Sequence, residues 1–305
     1  MTETTQDPGK AGTLGFVGVG VMGRPMARRL LAAGYCLVVY DLNADAVAEL
    51  VGLGARPAAS AQAVADEAGI VFTSMPTVAV FKQVVAGAGG VGAGRAVKIV
   101  VDLSTVGTSA TQEVAALLKA RGIDLVDAPI SGGAAGAQAG TLAVMVAGKP
   151  EAVAQVMPLF QVFGKPFVVG TEPGQAQLMK LLNNMLSSTA FAVTAEAFVA
   201  GTRGGLDPEV MMNVFNAGSG RNNATADKFP KYVLGRSFDF GFPISSVCKD
   251  IGLAVDECQK LGVPMWVGGQ SRQLWQSAYL QNGASMDMTS LVRFVEQWSG
   301  QPAKG

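Results

Sequence analysis

Leu14-Gly15-Phe16-Val17-Gly18-Val19-Gly20-Val21-Met22-Gly23 sets the architecture of this chain. The apolar run from Leu14 to Val17 leads directly into a G-x-G-x-x-G turn. Pro25-Met26-Ala27-Arg28-Arg29-Leu30-Leu31 follows with helical spacing and stops at Gly34. Pro25 suits a first helical turn, where its missing N–H leaves no bond unmade. The segment therefore reads as strand, glycine turn, helix. Cys36-Leu37-Val38-Val39-Tyr40 is a second strand, closed by Asp41. The interval from Gly23 to Asp41 is close to the roughly 20 residues that separate a dinucleotide fingerprint from its ribose-binding acid.

Each residue of the turn has a physical task in that reading. Gly18 permits the tight turn, Gly20 lets the backbone approach a pyrophosphate, and Gly23 lets helix and strand pack closely. Val21 and Met22 carry the chain into the helix, whose N-terminal N–H groups and dipole favour phosphate. Asp41 can accept hydrogen bonds from both ribose hydroxyls. The alternative is a structural turn in a glycine-rich chain. The strand before, the helix after and the acid at the end of the next strand favour dinucleotide binding.

The alternation continues outward. Ile70 to Met75 reads as a strand stopped by Pro76, and Lys98 to Leu103 as another ending at Ser104-Thr105. Leu125 to Ala128, Ala143 to Ala147 and Phe167 to Val169 complete the set, with helical periodicity between, as in Ser109 to Ala120. Such a pattern predicts an α/β domain of Rossmann type over 13–173, a doubly wound parallel sheet covered on both faces. Ligands of such sheets gather at the carboxyl ends of the strands, which brings Met75, Pro76, Ser104 and Thr105 beside the cofactor. Ser131-Gly132-Gly133-Ala134-Ala135-Gly136 is either an anion-binding run of bare N–H groups or a flexible connection.

Strand signals vanish from Gly174, and 174–305 reads as an all-α domain opened by one long interdomain helix. Gln175 to Ala200 contains neither proline nor glycine. This helix is mostly apolar, yet Lys180, Asn184 and Ser187 or Ser188 share one face by i, i+4 spacing. That stripe is either a polar contact between helices or a catalytic face across the domain cleft. A partly buried lysine suits proton transfer. A further helix is expected after Pro243, carrying Lys249-Asp250 near its start. Met211, Phe215, Trp266 and Trp275 are expected in the core.

Composition limits the function. Of 305 residues, 23 are Lys or Arg and 23 are Asp or Glu, so the formal charge is zero. A neutral chain without basic runs is a poor partner for nucleic acid or a membrane surface. No apolar stretch is long enough for a transmembrane helix. The polar residues 1–12 read as a disordered tail rather than a signal peptide. Three cysteines without C-x-x-C spacing fit a reducing cytoplasm. The chain has no histidine. No metal site is therefore expected, and zinc alcohol dehydrogenase or histidine-dependent lactate dehydrogenase chemistry is ruled against. Short-chain dehydrogenase chemistry needs Tyr-x-x-x-Lys, but the residues four after each tyrosine are Val39, Ala44, Arg236 and Gly283.

With these motifs in order, the chain resembles the β-hydroxyacid dehydrogenases, the group of 3-hydroxyisobutyrate dehydrogenase and tartronate semialdehyde reductase. The resemblance runs from Leu14 to about Phe294. It rests on the glycine motif at 15–23 and on Asp127-Ala128-Pro129-Ile130-Ser131-Gly132-Gly133 with Gly140-Thr141-Leu142. It rests also on Gly174-Gln175-Ala176-Gln177-Leu178-Met179-Lys180-Leu181-Leu182-Asn183-Asn184 and on Lys249-Asp250. The family usually has glycine where this chain has Ala176, and the stretch 217–225 departs from the family pattern.

The resemblance implies roles. Lys180 is the general acid/base and Asn184 helps hold the substrate. Ser131, Gly132 and Gly133 bind its carboxylate, and Thr105 and Lys249 lie near the nicotinamide. The expected cofactor is NAD, contacted by Gly18, Gly20, Val21, Met22, Gly23, Asp41, Met75, Pro76, Thr105, Phe242 and Lys249. Arg221 is an expected substrate clamp if its loop folds over the cleft. The expected activity is hydride transfer between NAD and a small 3-hydroxy acid or its semialdehyde, in a homodimer or homotetramer. Two rivals remain: an imine reductase of the same architecture, which generally lacks the lysine, and a non-catalytic dinucleotide-binding regulator.

Overall fold

A computed structural model describes residues 12–300, so residues 1–11 of the expected tail lie outside the described residues. The described residues form two compact units that divide between Lys180 and Leu181.

The first unit is built on β1 (Leu14–Val17), α1 (Gly23–Ala32), β2 (Leu37–Tyr40), α2 (Ala44–Gly52), β3 (Arg56–Pro57), α3 (Ala61–Glu67) and β4 (Ile70–Thr73). It continues through α4 (Val78–Ala86), β5 (Ile99–Asp102), α5 (Thr108–Lys119), β6 (Asp124–Asp127), β7 (Ile130–Ser131), α6 (Gly133–Ala139), β8 (Leu142–Ala147), α7 (Pro150–Phe163) and β9 (Gly164–Gly170). The strand order is β3-β2-β1-β4-β5-β6-β8-β7, with β9 on β8. Strands β3 to β6 are parallel throughout. The order reverses at the β1–β4 junction, the switch point at which such sheets bind ligands.

Alternation along the strands separates two apolar layers. Phe16, Val39, Phe72 and Val101 pack with Met26 and Leu30 of α1 and Phe160 of α7. Val17, Val38, Val71 and Val100 pack with Val64 of α3, Phe81 of α4 and Leu118 of α5. The expected parallel sheet needs one correction at its far edge. β8 runs antiparallel to both β6 and β7. The chain leaves β6 through two-residue β7 and returns after seven-residue α6 to pair β8 antiparallel with β7, so α6 closes a hairpin instead of a crossover. Arg56–Pro57 also forms an edge strand, the one sheet position where proline costs no ladder bond.

The long helix exists as read, and α8 runs three residues further, over Gln175–Arg203. Its first turn belongs to the first unit, where Ala176 is fully buried beside Met145 and Ala147. The Ala176 methyl group thus has a place to pack. The second unit adds α9 (Pro208–Ala217), a π-helical turn over Ala224–Val233, α10 (Ile244–Lys260), α11 (Trp266–Ala278) and α12 (Leu291–Trp298). Phe191, Phe198, Phe229 and Trp275 form its aromatic centre, with ring centroids 5.2–6.1 Å apart. Met211 joins this core and Phe215 lies at its margin, but Trp266 is 82% exposed. Trp266 opens α11, before the helix turns its buried face inward at Gly268, Ser271 and Trp275.

Candidate active site

The glycine turn is shaped as its sequence requires. Gly18 has φ +89°, and a β-carbon there would strike the Ser74 carbonyl. At Gly23 a β-carbon would collide with the Gly18 carbonyl and the Phe16 ring, so α1 and β1 approach as closely as they do only with glycine. Gly20 differs: a β-carbon there meets nothing within 4 Å, so the backbone faces open space. Val21 is 70% exposed beside it. Asn43, Ser60 and Thr77 cap α2, α3 and α4 with side-chain oxygens. No side chain caps α1 at Met22; the Arg24 N–H goes to the Gly20 carbonyl at 3.0 Å and Pro25 has none, so no side chain covers the start of the helix. Asp41 follows β2 directly, with one carboxylate oxygen 2.7 Å from the Val19 N–H and the other 2.8 Å from that of Asn43. An open backbone, an uncapped helix and an acid at the neighbouring strand end fit a dinucleotide.

The ends of β4, β5 and β6 carry a buried polar network. Asp102 Oδ1 accepts from Thr73 at 2.7 Å and from the Ser104 hydroxyl at 2.6 Å, and Ser104 Oγ accepts the Met75 N–H at 2.8 Å. Asp102 and Asp127 are register partners on adjacent strands. Asp127 accepts the N–H groups of Gly174 and Gln177 and the side-chain amide of Gln177. Gln177 also donates to the Ser104 carbonyl and accepts from the N–H groups of Val106 and Gly107. This amide ties the loop carrying half-buried Thr105 to the first turn of α8, three residues before Lys180. Lys180 itself is 7% exposed.

Burial pushes the Asp102 carboxyl up to about 7, against the pull of Ser104 and Thr73 and with help from Asp127. Burial likewise pushes Asp127 up to about 6, against the hydrogen bonds from Gln177 and Gly174. Folded Asp102 therefore holds a proton that the unfolded chain releases near 3.8. Its stabilising contribution is complete below about pH 4 and is lost as pH rises through about 7. Between about pH 5 and 8 the loss is on the order of 2 kcal/mol. Urea unfolding at both pH values is expected to show that decline in the parent, with a flatter profile in Asp102→Asn. Equal slopes would refute the assignment.

The Ser131-Gly132-Gly133 segment forms the end of β7 and the entry to α6. Ser131 is half-buried, and Gly132 and Gly133 are exposed. They adopt φ +134° and +65°, and no side chain caps α6. A β-carbon at Gly133 would meet nothing within 4 Å. Pro76 is exposed just beyond buried Met75.

In the second unit Asn184 donates to Asp250 Oδ2 at 2.7 Å, while Lys249 lies 3.2 Å from Asp250 Oδ1. Asp250 thus joins two expected site residues. Phe242 is half-buried, with its N–H on Asp287 at 3.0 Å. Arg221 is exposed on the turn after α9, its N–H 3.4 Å from the Gly218 carbonyl. Gln177, Asp127 and Asp250 stand within the quoted motifs but without a role, and Asp102 stands only within a strand. The available signal was position: acids closing buried strands, and polar residues on the apolar faces of helices, need partners.

The sequence signature of the NAD binding domain of 6-phosphogluconate dehydrogenase matches residues 13–171. That of the NAD-binding region of NADP-dependent 3-hydroxyisobutyrate dehydrogenase matches 174–295. The 2-(hydroxymethyl)glutarate dehydrogenase of Eubacterium barkeri is 35% identical over 96% of this chain and 97% of its own. The chain belongs to the β-hydroxyacid dehydrogenase family. It is thus an oxidoreductase of the hydroxyacid class with an NAD(P)-binding first domain. Another β-hydroxyacid dehydrogenase relative, the 3-sulfolactaldehyde reductase of Escherichia coli K12, is 32% identical over 95% of this chain and 98% of its own. A Mycobacterium tuberculosis 3-hydroxyisobutyrate dehydrogenase solved with L-serine matches with a TM-score of 0.83 at 27% identity, over 93% of this chain and 99% of that one.

Proposed function

We propose that this β-hydroxyacid dehydrogenase transfers a hydride between NAD and a small 3-hydroxy acid or its semialdehyde. One observation carries the reading: buried Lys180, on a helix whose first turn the Gln177–Asp127 network fixes. When bound, the dinucleotide would supply the hydride donor or acceptor, and Thr105 and Lys249 are among the residues that would hold it. Lys180 takes the hydroxyl proton in oxidation and returns it to the forming alkoxide in reduction, its positive charge stabilising negative oxygen. One Asn184 N–H is held by Asp250, which leaves the other to orient the reacting oxygen. The bare N–H groups of Gly132 and Gly133, with the Ser131 hydroxyl, suit a carboxylate. An imine reductase has no need of this lysine, and a regulator has no need of the network that fixes its helix.

NAD is favoured over NADP by charge. Asp41 would repel a 2′-phosphate, and Leu42-Asn43 follows it without an arginine. The arginines of α1 are engaged: Arg24 and Arg28 pair with Glu49 at 3.1 and 3.0 Å, and Arg29 donates to the carbonyls of Val162 and Gln138. Exposed Leu186 and Val193, one heptad apart on α8, support a homo-oligomer. Three free cysteines fit a reducing cytoplasm, and among the described residues no helix is long and apolar enough to cross a membrane.

The test compares a 3-hydroxy acid with its methyl ester, each with NAD and with NADP. The ester is expected to lose at least about tenfold in kcat/KM, about 1.4 kcal/mol. NAD is expected to be the better cofactor. Equal turnover of acid and ester would remove the carboxylate role of Ser131-Gly132-Gly133, and equal efficiency with NADP would remove the role given to Asp41.

A further inference from the structure

Lys228 lies in the π-helical turn Ala224–Val233 and is only 5% exposed. The turn widens here because Pro230 has no N–H to close a regular helical bond. The Lys228 ammonium is 3.3 Å from Ser187 Oγ and 5.1 Å from the centre of the Phe240 ring. Among the described residues no carboxylate stands within ion-pair distance of it. The neighbouring acid, Asp227, is bound to Lys231 at 2.6 Å. Burial accordingly pushes the Lys228 amine below its usual range, with only the more distant charge of Asp227 opposing.

Ser187 Oγ also accepts from Asn223 Nδ2 at 2.6 Å. Two donors therefore converge on one hydroxyl oxygen, and its own proton must point away from both. What remains here is donors: the spare N–H bonds of the ammonium, the Ser187 O–H and the second Asn223 N–H. An ammonium held out of water without a counter-ion is unfavourable, and an anion supplied from outside would satisfy every one of these groups. Phe240 and a hydroxyl alone would be a poor replacement for the lost water.

The position says what that anion belongs to. Ser187 is three residues after Asn184 on α8, about 4.5 Å further along the axis and on the same face. We propose that Lys228, Ser187 and Asn223 bind a second anionic group at the end of the substrate remote from the reacting carbon, so that the preferred substrate is a dianion. This rests on the reading of Asn184 as the residue that orients the reacting oxygen.

The experiment titrates the NADH-saturated protein with glutarate and with pentanoate, five-carbon acids that differ by one carboxylate. Glutarate is expected to bind at least about tenfold more tightly. Lys228→Met is expected to bring the ratio close to one, and Lys228→Arg to preserve most of it. Ser187→Val, which leaves the lysine in place, is expected to reduce the ratio by about threefold or more. Equal affinities in the parent protein overturn the proposal without any variant, as does an unchanged ratio in Lys228→Met. Turnover of a monoanionic 3-hydroxy acid, measured separately, isolates the reading beneath it. Turnover without a glutarate preference sinks the subsite alone. A glutarate preference without turnover of any hydroxy acid sinks it as a substrate subsite, together with the function proposed above.

Discussion

Replacing Lys180 by alanine is expected to lower kcat by roughly 10²–10⁴-fold, the usual contribution of a general acid/base. That corresponds to about 3–5 kcal/mol of barrier. The loss can exceed this range because the same side chain brings positive charge to the developing alkoxide. NADH binding is expected to survive, since the groups that fit the dinucleotide phosphates and ribose, Gly20, the α1 N-terminus and Asp41, are all in the first 41 residues. Lys180→Arg separates charge from proton transfer. Arginine retains the charge but does not release its proton in proteins, so oxidation is expected to remain crippled. NADH fluorescence titration beside steady-state kcat reads both effects. Near-native kcat in Lys180→Ala would transfer the role to another group, with Lys249 next in line.

The part of this enzyme that was legible in its sequence is the part encoded locally. Gly18, Gly20 and Gly23 sit between a strand and a helix because each step of that unit is written in adjacent residues. The proline- and glycine-free run after Gly174 announced α8 for the same reason. The antiparallel β8 was not legible, because its direction depends on how β7 and α6 return the chain, not on its own alternation. Trp266 misled because helical spacing gives a face only relative to a neighbour, and its position at the start of α11 points it outward. Within the site, Lys180 and Asn184 were visible as polar interruptions of an apolar helix. Asp250 is given no role by its motif beyond standing next to Lys249, although Val247, Ile251 and Ala254 place it on a buried face. Asp102 and Asp127 were invisible as a pair because strand register, not sequence distance, makes them neighbours.

Gln177→Leu is expected to be the most destabilising single substitution in the first unit outside its apolar core. Leucine preserves the size and apolar fit of the site but offers no hydrogen bond. The N–H groups of Val106 and Gly107 and the carbonyl of Ser104 would then be buried without the partner they now share. Each orphaned group costs about 1–3 kcal/mol, so the three together reach on the order of 5 kcal/mol. Asp127 would keep the N–H groups of Gly174 and Gln177 but lose the amide that most strongly opposes its protonation. A domain with about 5–15 kcal/mol in hand is left marginal by such a loss. The functional effect follows from the same bonds. With the loop of Thr105 and the first turn of α8 no longer joined, Lys180 loses its fixed base, and kcat should fall even at temperatures where the variant remains folded. Gln177→Glu is the informative contrast. A glutamate can still accept from Val106 and Gly107, but it faces the Ser104 carbonyl and the Asp127 carboxylate with no donor unless it is protonated. Both variants should gain stability as pH falls, because Asp102 and Asp127 take up protons in each, but Gln177→Glu should gain more, since its own carboxyl is also neutralised. Thermal melts of both variants at about pH 5 and 8 read the difference, and a leucine variant as stable as the parent would show that the network does not hold the helix.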